Sequence, residues 1–243
     1  MKKQIILVLF IPLVFFAQEG KYNPNDDVVT IEIPQNVDEL RGYPTFDELD
    51  PEAITFFNLA TELISSKPNQ AIILFKKAIN KDPYFVQAYD NLAKTYRELE
   101  EYDLAIKYYL LSQKIYPKGN SSFQNLAVVY TFQKDWSKAI NQYEKLISLY
   151  PDDPEGYYGL ANLYLKIETN LSKALSNAKK ALTLYEINPP NYIGDSYAQV
   201  GLIYYYRGEK EFAKKYLKKA KAKYIENNLS NIFTKYESIL NSL

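Results

Sequence analysis

The chain has 243 residues, 47% of them hydrophobic, with 24 tyrosines, only 8 glycines and a formal net charge of zero. That supplies one continuous core, suits packed helices better than a turn-rich sheet, and gives no electrostatic argument for a nucleic-acid partner. The absence of cysteine and histidine excludes disulfides, thiolate nucleophiles, cysteine-held zinc and the side chain whose ordinary pKa lies nearest neutrality.

Residues 1–17 read MKKQIILVLFIPLVFFA. A basic start at Lys2 and Lys3 precedes an apolar run from Ile5 to Ala17 that is too short to span a bilayer as a helix. This is the plan of a secretory signal peptide. Cleavage is expected after Ala17, which places the chain outside the cytoplasm, in a bacterial periplasm or cell envelope.

Residues 18–52 carry ten acids against Lys21 and Arg41, a net of −8. They also hold Pro24, Pro34, Pro44 and Pro51 and show no sustained helical period, which predicts an extended acidic linker. Within it, VVTIEIP, Val28 to Pro34, is β-branched and strand-prone.

From residue 53 a 34-residue period sets in. With Val86 and Asn120 as position 1 of two units, position 4 is Tyr89 and Phe123, and position 7 is Leu92 and Leu126. Position 8 is Ala93 and Ala127, position 11 Tyr96 and Tyr130, position 20 Ala105 and Ala139, position 24 Tyr109 and Tyr143, and position 32 Pro117 and Pro151. Small residues at 8 and 20 let two antiparallel helices approach, and aromatics at 4, 11 and 24 fill the spaces between them. Proline at 32 ends the second helix because it has no N–H to continue the ladder.

One unit precedes this pair, with Ala60, Ala71, Phe75, Ala78 and Pro83 in register after a one-residue deletion. Two follow it. The fourth has Tyr157, Leu160, Ala161 and Tyr164, then Ala174 and Ala181 after a one-residue insertion, with Ala178 where an aromatic is expected. The fifth has Tyr197, Gly201, Tyr204, Ala213 and Ala220. Asp50-Pro51-Glu52 and Asp153-Pro154-Glu155 read as helix starts: an acceptor at the N-cap, proline at the first helical position and an acid by the positive helix end. EINPPNYIGD, residues 186–195, separates units four and five; with Ala178 it is expected to loosen that junction and change the superhelical angle. The tail, residues 228–243, puts Ile232, Phe233, Tyr236, Ile239 and Leu240 on one face, as a terminal capping helix requires.

The pattern over residues 53–227 resembles the tetratricopeptide repeat, which has these residue types at these positions. The resemblance implies an all-α, right-handed superhelical solenoid of about five helix-turn-helix units. Its first helices would line a concave groove with positions 2, 5, 6, 9 and 12. Position 6 is Asn58, Asn91, Asn125, Gly159 and Gln199, similar to the asparagine ladder of peptide-binding members; Asn162 at position 9 is a stand-in for Gly159. A carboxamide offers donors and an acceptor, so it suits both sides of an extended backbone. Lys94 and Arg97 join the groove at the amino end, and Tyr158 and Tyr205 at the carboxy end. The family's carboxylate clamp needs a groove lysine at position 5, where this chain has Phe57, Asp90, Gln124, Tyr158 and Ala198.

Lys214, Lys215, Lys218 and Lys219 crowd the second helix of the last unit and form a basic face, suited to acidic lipid headgroups or an acidic partner. No catalytic constellation, phosphate loop or metal-binding spacing is visible. The expectation is a non-enzymatic interaction scaffold that holds an extended segment of another protein in its groove, without cofactor, metal, nucleic acid or small-molecule substrate. A structural subunit of an envelope assembly, using the convex or basic face, is the competing expectation. The strand-prone run Val28 to Pro34 could itself lie along Asn58, Asn91 and Asn125.

Overall fold

The helices follow one another without a strand among the described residues. The computed structural model describes residues 48–167 and 170–243; the leader 1–17 and Val28 to Pro34 lie outside them. The helices are α1 (Pro51–Leu63), α2 (Pro68–Lys81), α3 (Val86–Glu98), α4 (Tyr102–Ile115), α5 (Asn120–Phe132) and α6 (Trp136–Leu149). They continue with α7 (Pro154–Lys166), α8 (Leu171–Ile187), α9 (Ile193–Tyr206), α10 (Lys210–Glu226) and α11 (Ser230–Asn241).

Helix starts follow the sequence chemistry. The Asp50 carboxylate accepts from the N–H groups of Glu52 and Ala53 ahead of Pro51, and Asp153 accepts from Glu155 N–H ahead of Pro154. The first helix therefore takes in Pro51 and Glu52, the last residues of the acidic stretch. That end is tied down further: Asp50 N–H donates to Asp82, and Lys81 pairs with Glu52 at 2.6 Å.

The turn within each repeat carries a signal that the repeat pattern alone does not reveal. Position 15 is left-handed in three units: Glu100 (φ 62°), Lys134 (φ 60°) and Gly208 (φ 77°). In each, the next N–H reaches back to the carbonyl of the position 11 tyrosine: Glu101 to Tyr96, Asp135 to Tyr130 and Glu209 to Tyr204, at 2.9–3.0 Å. This is the Schellman closure that satisfies the last carbonyls of a helix. Only one of the three residues is glycine.

Each pair α1/α2, α3/α4, α5/α6, α7/α8 and α9/α10 packs along its length, and each second helix packs on the first helix of the next pair. The small residues sit at these seams: Ala60, Ala71, Ala93, Ala105, Ala127, Ala139, Ala161, Ala174 and Ala213 are fully buried. At Gly201 an added Cβ would meet Leu217 side-chain atoms at 2.9–3.0 Å, so α9 and α10 are as close as a glycine allows. Phe75, Tyr109 and Tyr143 at position 24 are buried, as are Tyr96, Tyr130, Tyr164 and Tyr204 at position 11. Position 4 links consecutive units through polar tips: Tyr89 donates to the Pro83 carbonyl at 3.1 Å and Tyr157 to the Pro151 carbonyl at 3.2 Å. A buried tyrosine needs such a partner, and the carbonyl beside a helix-ending proline supplies it.

The junction between units four and five differs from expectation. The α8–α9 contact is at least as extensive as α4 on α5 or α6 on α7. Ala178 is fully buried, and Tyr197 reaches back to Glu186 on α8 at 2.6 Å, so α8 and α9 stay in contact although residues 188, 189, 191 and 192 between them are exposed. At the carboxy end α11 lies on α10. Phe233 is buried against Tyr224, and Ile232, Tyr236, Ile239 and Leu240 are half-buried on the same face.

Candidate interaction groove

The first helices of the units approach one another: α3 touches α5, α5 touches α7 and α7 touches α9, while the second helices meet one another less. The first helices are therefore the inner wall of the stack, and their solvent-facing residues line the groove.

That wall is cross-braced by side chains one repeat apart. Arg97 on α3 donates from Nη1 to Asn125 Oδ1 on α5 at 2.7 Å. Gln124 on α5 donates to Glu155 on α7 at 3.2 Å. Gln199 on α9 donates from Nε2 to Asn162 Oδ1 at 2.7 Å and to the Tyr158 carbonyl at 3.0 Å on α7. Each rung joins successive first helices and limits how far they can splay.

The predicted row thus divides. Asn58 is exposed and Asn91 half-buried, both on the wall. Asn125 is half-buried, with Oδ1 bound by Arg97 and Nδ2 donating to the Ser121 carbonyl at 2.9 Å. Nδ2 also donates to the Ser121 hydroxyl oxygen at 3.3 Å, so its donors turn back onto its own helix and one lone pair remains to its amide. Gly159 has a local cause: an added Cβ would run into the Tyr143 ring from the preceding unit. Any side chain there would displace the position 24 aromatic, so the row cannot continue through α7. Gln199 is 3% exposed and its donors point inward. This corrects its placement on the accessible groove: it is a brace between α7 and α9, and the exposed Asn162 beside it presents the polar surface. Lys94 is exposed, with Glu98 3.9 Å away on its own helix. Tyr158 is half-buried and Tyr205 exposed, edge-on to Tyr206 at 5.6 Å.

Burial pushes the Asp90 carboxyl up to about 6, with the neighbouring Ser112 hydroxyl pulling it back. Burial also pushes the Tyr158 phenol up to about 12, so it stays a neutral donor throughout the ordinary range.

The basic face is partly occupied. Lys219 lies over the rings of Tyr197 and Tyr216, 5.4 and 5.8 Å from their centroids, which uses it as a cover for aromatics. Lys215 and Lys218 are exposed and Lys214 is half-buried. Nearby, Lys221 pairs with Glu237 on α11 at 3.1 Å.

One polar cluster is not foreshadowed by the repeat pattern. Glu155 accepts from the hydroxyls of Tyr185 at 2.6 Å and Tyr192 at 3.3 Å, besides Gln124. One unit on, Asp195 accepts from the Tyr224 hydroxyl at 2.6 Å. Burial first, then the bonded carboxylate, hold the Tyr185 and Tyr224 phenols far above their ordinary pKa. A signal existed: units four and five both have an acid at position 2 and a tyrosine at position 31. At position 2 an acid reads as helix-end chemistry, and that hid the pairing.

Among the described residues no group of acidic side chains is arranged to hold a metal ion, and no helix is long and apolar enough to cross a membrane.

Models of the tetratricopeptide repeat match residues 74–107 and 127–167. No curated protein matches the sequence. Among solved structures, MamA residues 41 to the end from Desulfovibrio magneticus RS-1 aligns with a TM-score of 0.60 at 16% identity, over 73% of this chain and 98% of that one. BtubC (BKLC) from P. vanneervenii aligns with a TM-score of 0.63 at 18% identity, over 73% and 88%. YrrB, described as a TPR protein with an unusual peptide-binding site, aligns with a TM-score of 0.53 at 22% identity, over 75% and 92%. At these identities the likeness is one of fold, and with the helix order and packing it makes the described part of the chain an all-α solenoid of the tetratricopeptide type.

Proposed function

We propose that the chain is a non-enzymatic scaffold, exported to a bacterial cell envelope, that holds an extended segment of another protein against its inner wall. The observation that carries this reading is the row Asn58, Asn91 and Asn125 on three successive inner helices, with accessible amides at the first two and one open lone pair at the third. Amides spaced along a groove can exchange hydrogen bonds with an extended backbone whatever its side chains. The peptide-binding site named for YrrB, a protein of the same fold, supports the reading. Export rests on Lys2, Lys3 and the apolar run from Ile5 to Ala17.

A photo-crosslinking residue placed at 91 or 125, and separately at 215 or 218, tests the proposal in the envelope fraction of producing cells. Adducts from 91 that vanish when Asn58→Ala and Asn125→Ala are added, and adducts from 125 that vanish when Asn58→Ala and Asn91→Ala are added, are expected. Adducts confined to 215 and 218 would transfer the function to the exposed Lys215 and Lys218 face, the reading in which the chain is a structural subunit.

A further inference from the structure

We infer that the carboxylates of Glu155 and Asp195, with the rings of Tyr158, Tyr185 and Tyr192, form a receptor for one basic side chain, arginine above all, of the segment held in the groove. The inference rests on the groove reading above and adds the chemistry of the partner.

Both carboxylates have only neutral hydrogen-bond donors around them. Glu155 is held by two phenols and one amide, and Asp195 by a phenol; among the described residues neither is in an ion pair. Such donors fix where the oxygens lie but leave the charge uncompensated. A cation brought by a ligand meets preorganised anions, whose arrangement costs nothing further on binding.

The rings are arranged for the same guest. Tyr158 and Tyr185 stand edge-on with centroids 6.2 Å apart, and Tyr185 and Tyr192 edge-on at 6.0 Å. Tyr192 is 48% exposed while Tyr185 behind it is 5% exposed, so the face open to a guest is that of Tyr192. Planar guanidinium stacks on such faces while its N–H fork pairs with a carboxylate, a match that lysine's point charge makes less well. Elsewhere in the fold tyrosine rings already carry cations: Lys219 over Tyr197 and Tyr216, Lys179 over Tyr204, Lys173 over Tyr164. Among the described residues no lysine is placed in this way over Tyr158, Tyr185 or Tyr192.

A separate observation lies beside them. Gln199 is 3% exposed, its Nε2 fixed on the Tyr158 carbonyl, and its Oε1 has no donor among the described residues. That open acceptor lies beside the Tyr158 backbone, buried on the brace between α7 and α9. The connection between α8 and α9 supplies Tyr192 and leads into Asp195 in the first turn of α9, which gives that segment a purpose beyond linking two repeats.

The test titrates the full chain, carrying ¹³C-labelled tyrosine and ¹⁵N-labelled asparagine, with acetyl-Gly-Ser-Arg-Ser-Gly-amide, and with the same peptide bearing citrulline in place of arginine. Tyr158→Phe and Tyr192→Phe assign the ring signals. Saturable shifts at Tyr158, Tyr185 and Tyr192 are expected with the arginine peptide, and binding about fivefold weaker with citrulline. Glu155→Gln, which keeps an acceptor for Tyr185, and Asp195→Asn are each expected to weaken the arginine peptide about fivefold, with an unchanged melting curve showing that the fold survives. Equal binding of the citrulline peptide overturns the inference, as does the absence of a saturable tyrosine response. Shifts confined to Asn58, Asn91 and Asn125 overturn it too, while leaving the groove reading intact.

Discussion

Arg97 and Asn125, 28 residues apart in sequence, meet across the inner wall at 2.7 Å and join the first helix of one repeat to that of the next. The bond has two consequences. It braces α3 against α5, and it takes the oxygen of an amide that the groove reading assigns to a partner. A hydrogen bond with one charged member is worth more than a neutral one. In a double-mutant cycle of Arg97→Ala and Asn125→Ala, followed by urea unfolding, the coupling is expected to be about 1–2 kcal/mol. A coupling near zero would show that water replaces the guanidinium without loss.

Gly159 interrupts the amide row because Tyr143 occupies the space where its Cβ would be. Gly159→Ala is therefore expected to destabilise by about 1–3 kcal/mol, the usual range for overpacking, although alanine is the better helix former. Gly159→Asn, which would complete the row, is expected to cost more. Tyr143→Leu should recover part of the loss in the Gly159→Ala background, since it removes the opposing ring. A Gly159→Ala chain as stable as the parent would show that Tyr143 can swing aside freely.

The stack itself is legible in the sequence because close helix approach demands small residues at positions 8 and 20, and that demand repeats every 34 residues. Ala93, Ala127, Ala105 and Ala139 announce the seams without any structure. The cluster at Glu155 is not legible in the same way. Tyr185 and Tyr192 come from the end of α8 and the loop beyond it, 30 and 37 residues further on, and an acid in a first helical turn has a sufficient local explanation. Gln199 is misread for a related reason. Periodicity assigns a residue to a helix face, but the distance between neighbouring helices decides whether that face is open.

Position 15 offers a stability test. Glu100 and Lys134 hold left-handed backbone, where a Cβ is crowded, while the equivalent Gly208 does so freely. Lys134→Gly and Glu100→Gly are each expected to raise stability by roughly 0.5–1 kcal/mol, a few degrees in melting temperature for a chain of this size. Lys134 also stands clear of the groove, so partner binding should not change. A fall in melting temperature in both variants would mean that unfolded-state freedom outweighs the relief of crowding.

Export has its own readout. The basic start and apolar run of residues 1–17 predict a mature chain beginning at Gln18. Intact mass of the protein from its native envelope fraction is expected to correspond to residues 18–243. A mass that retains Met1 would instead make the leader an uncleaved anchor.

Asp90 gives the stack a pH dependence whose sign follows from its burial. Its carboxyl is raised from 3.8 to about 6 in the folded chain, chiefly because the charged form is poorly solvated there. The folded state therefore binds a proton that the unfolded state has already released between those values. Stability contributed by this group is greatest when it is protonated, below pH 4, and is lost as pH rises through about 6. At pH 7 the ionised carboxylate costs roughly 1–3 kcal/mol, because each tenfold gain in proton affinity on folding corresponds to about 1.4 kcal/mol. Asp90→Asn removes the charge and keeps the shape. It is expected to be more stable than the parent at pH 7 by about that amount, with the difference shrinking toward pH 4. Urea midpoints of both chains at half-unit steps between about pH 4 and 8 would show it. A parent chain that gains stability over Asp90→Asn as pH rises would mean that Asp90 is held as a carboxylate, with Arg97 close enough to reverse the effect of burial.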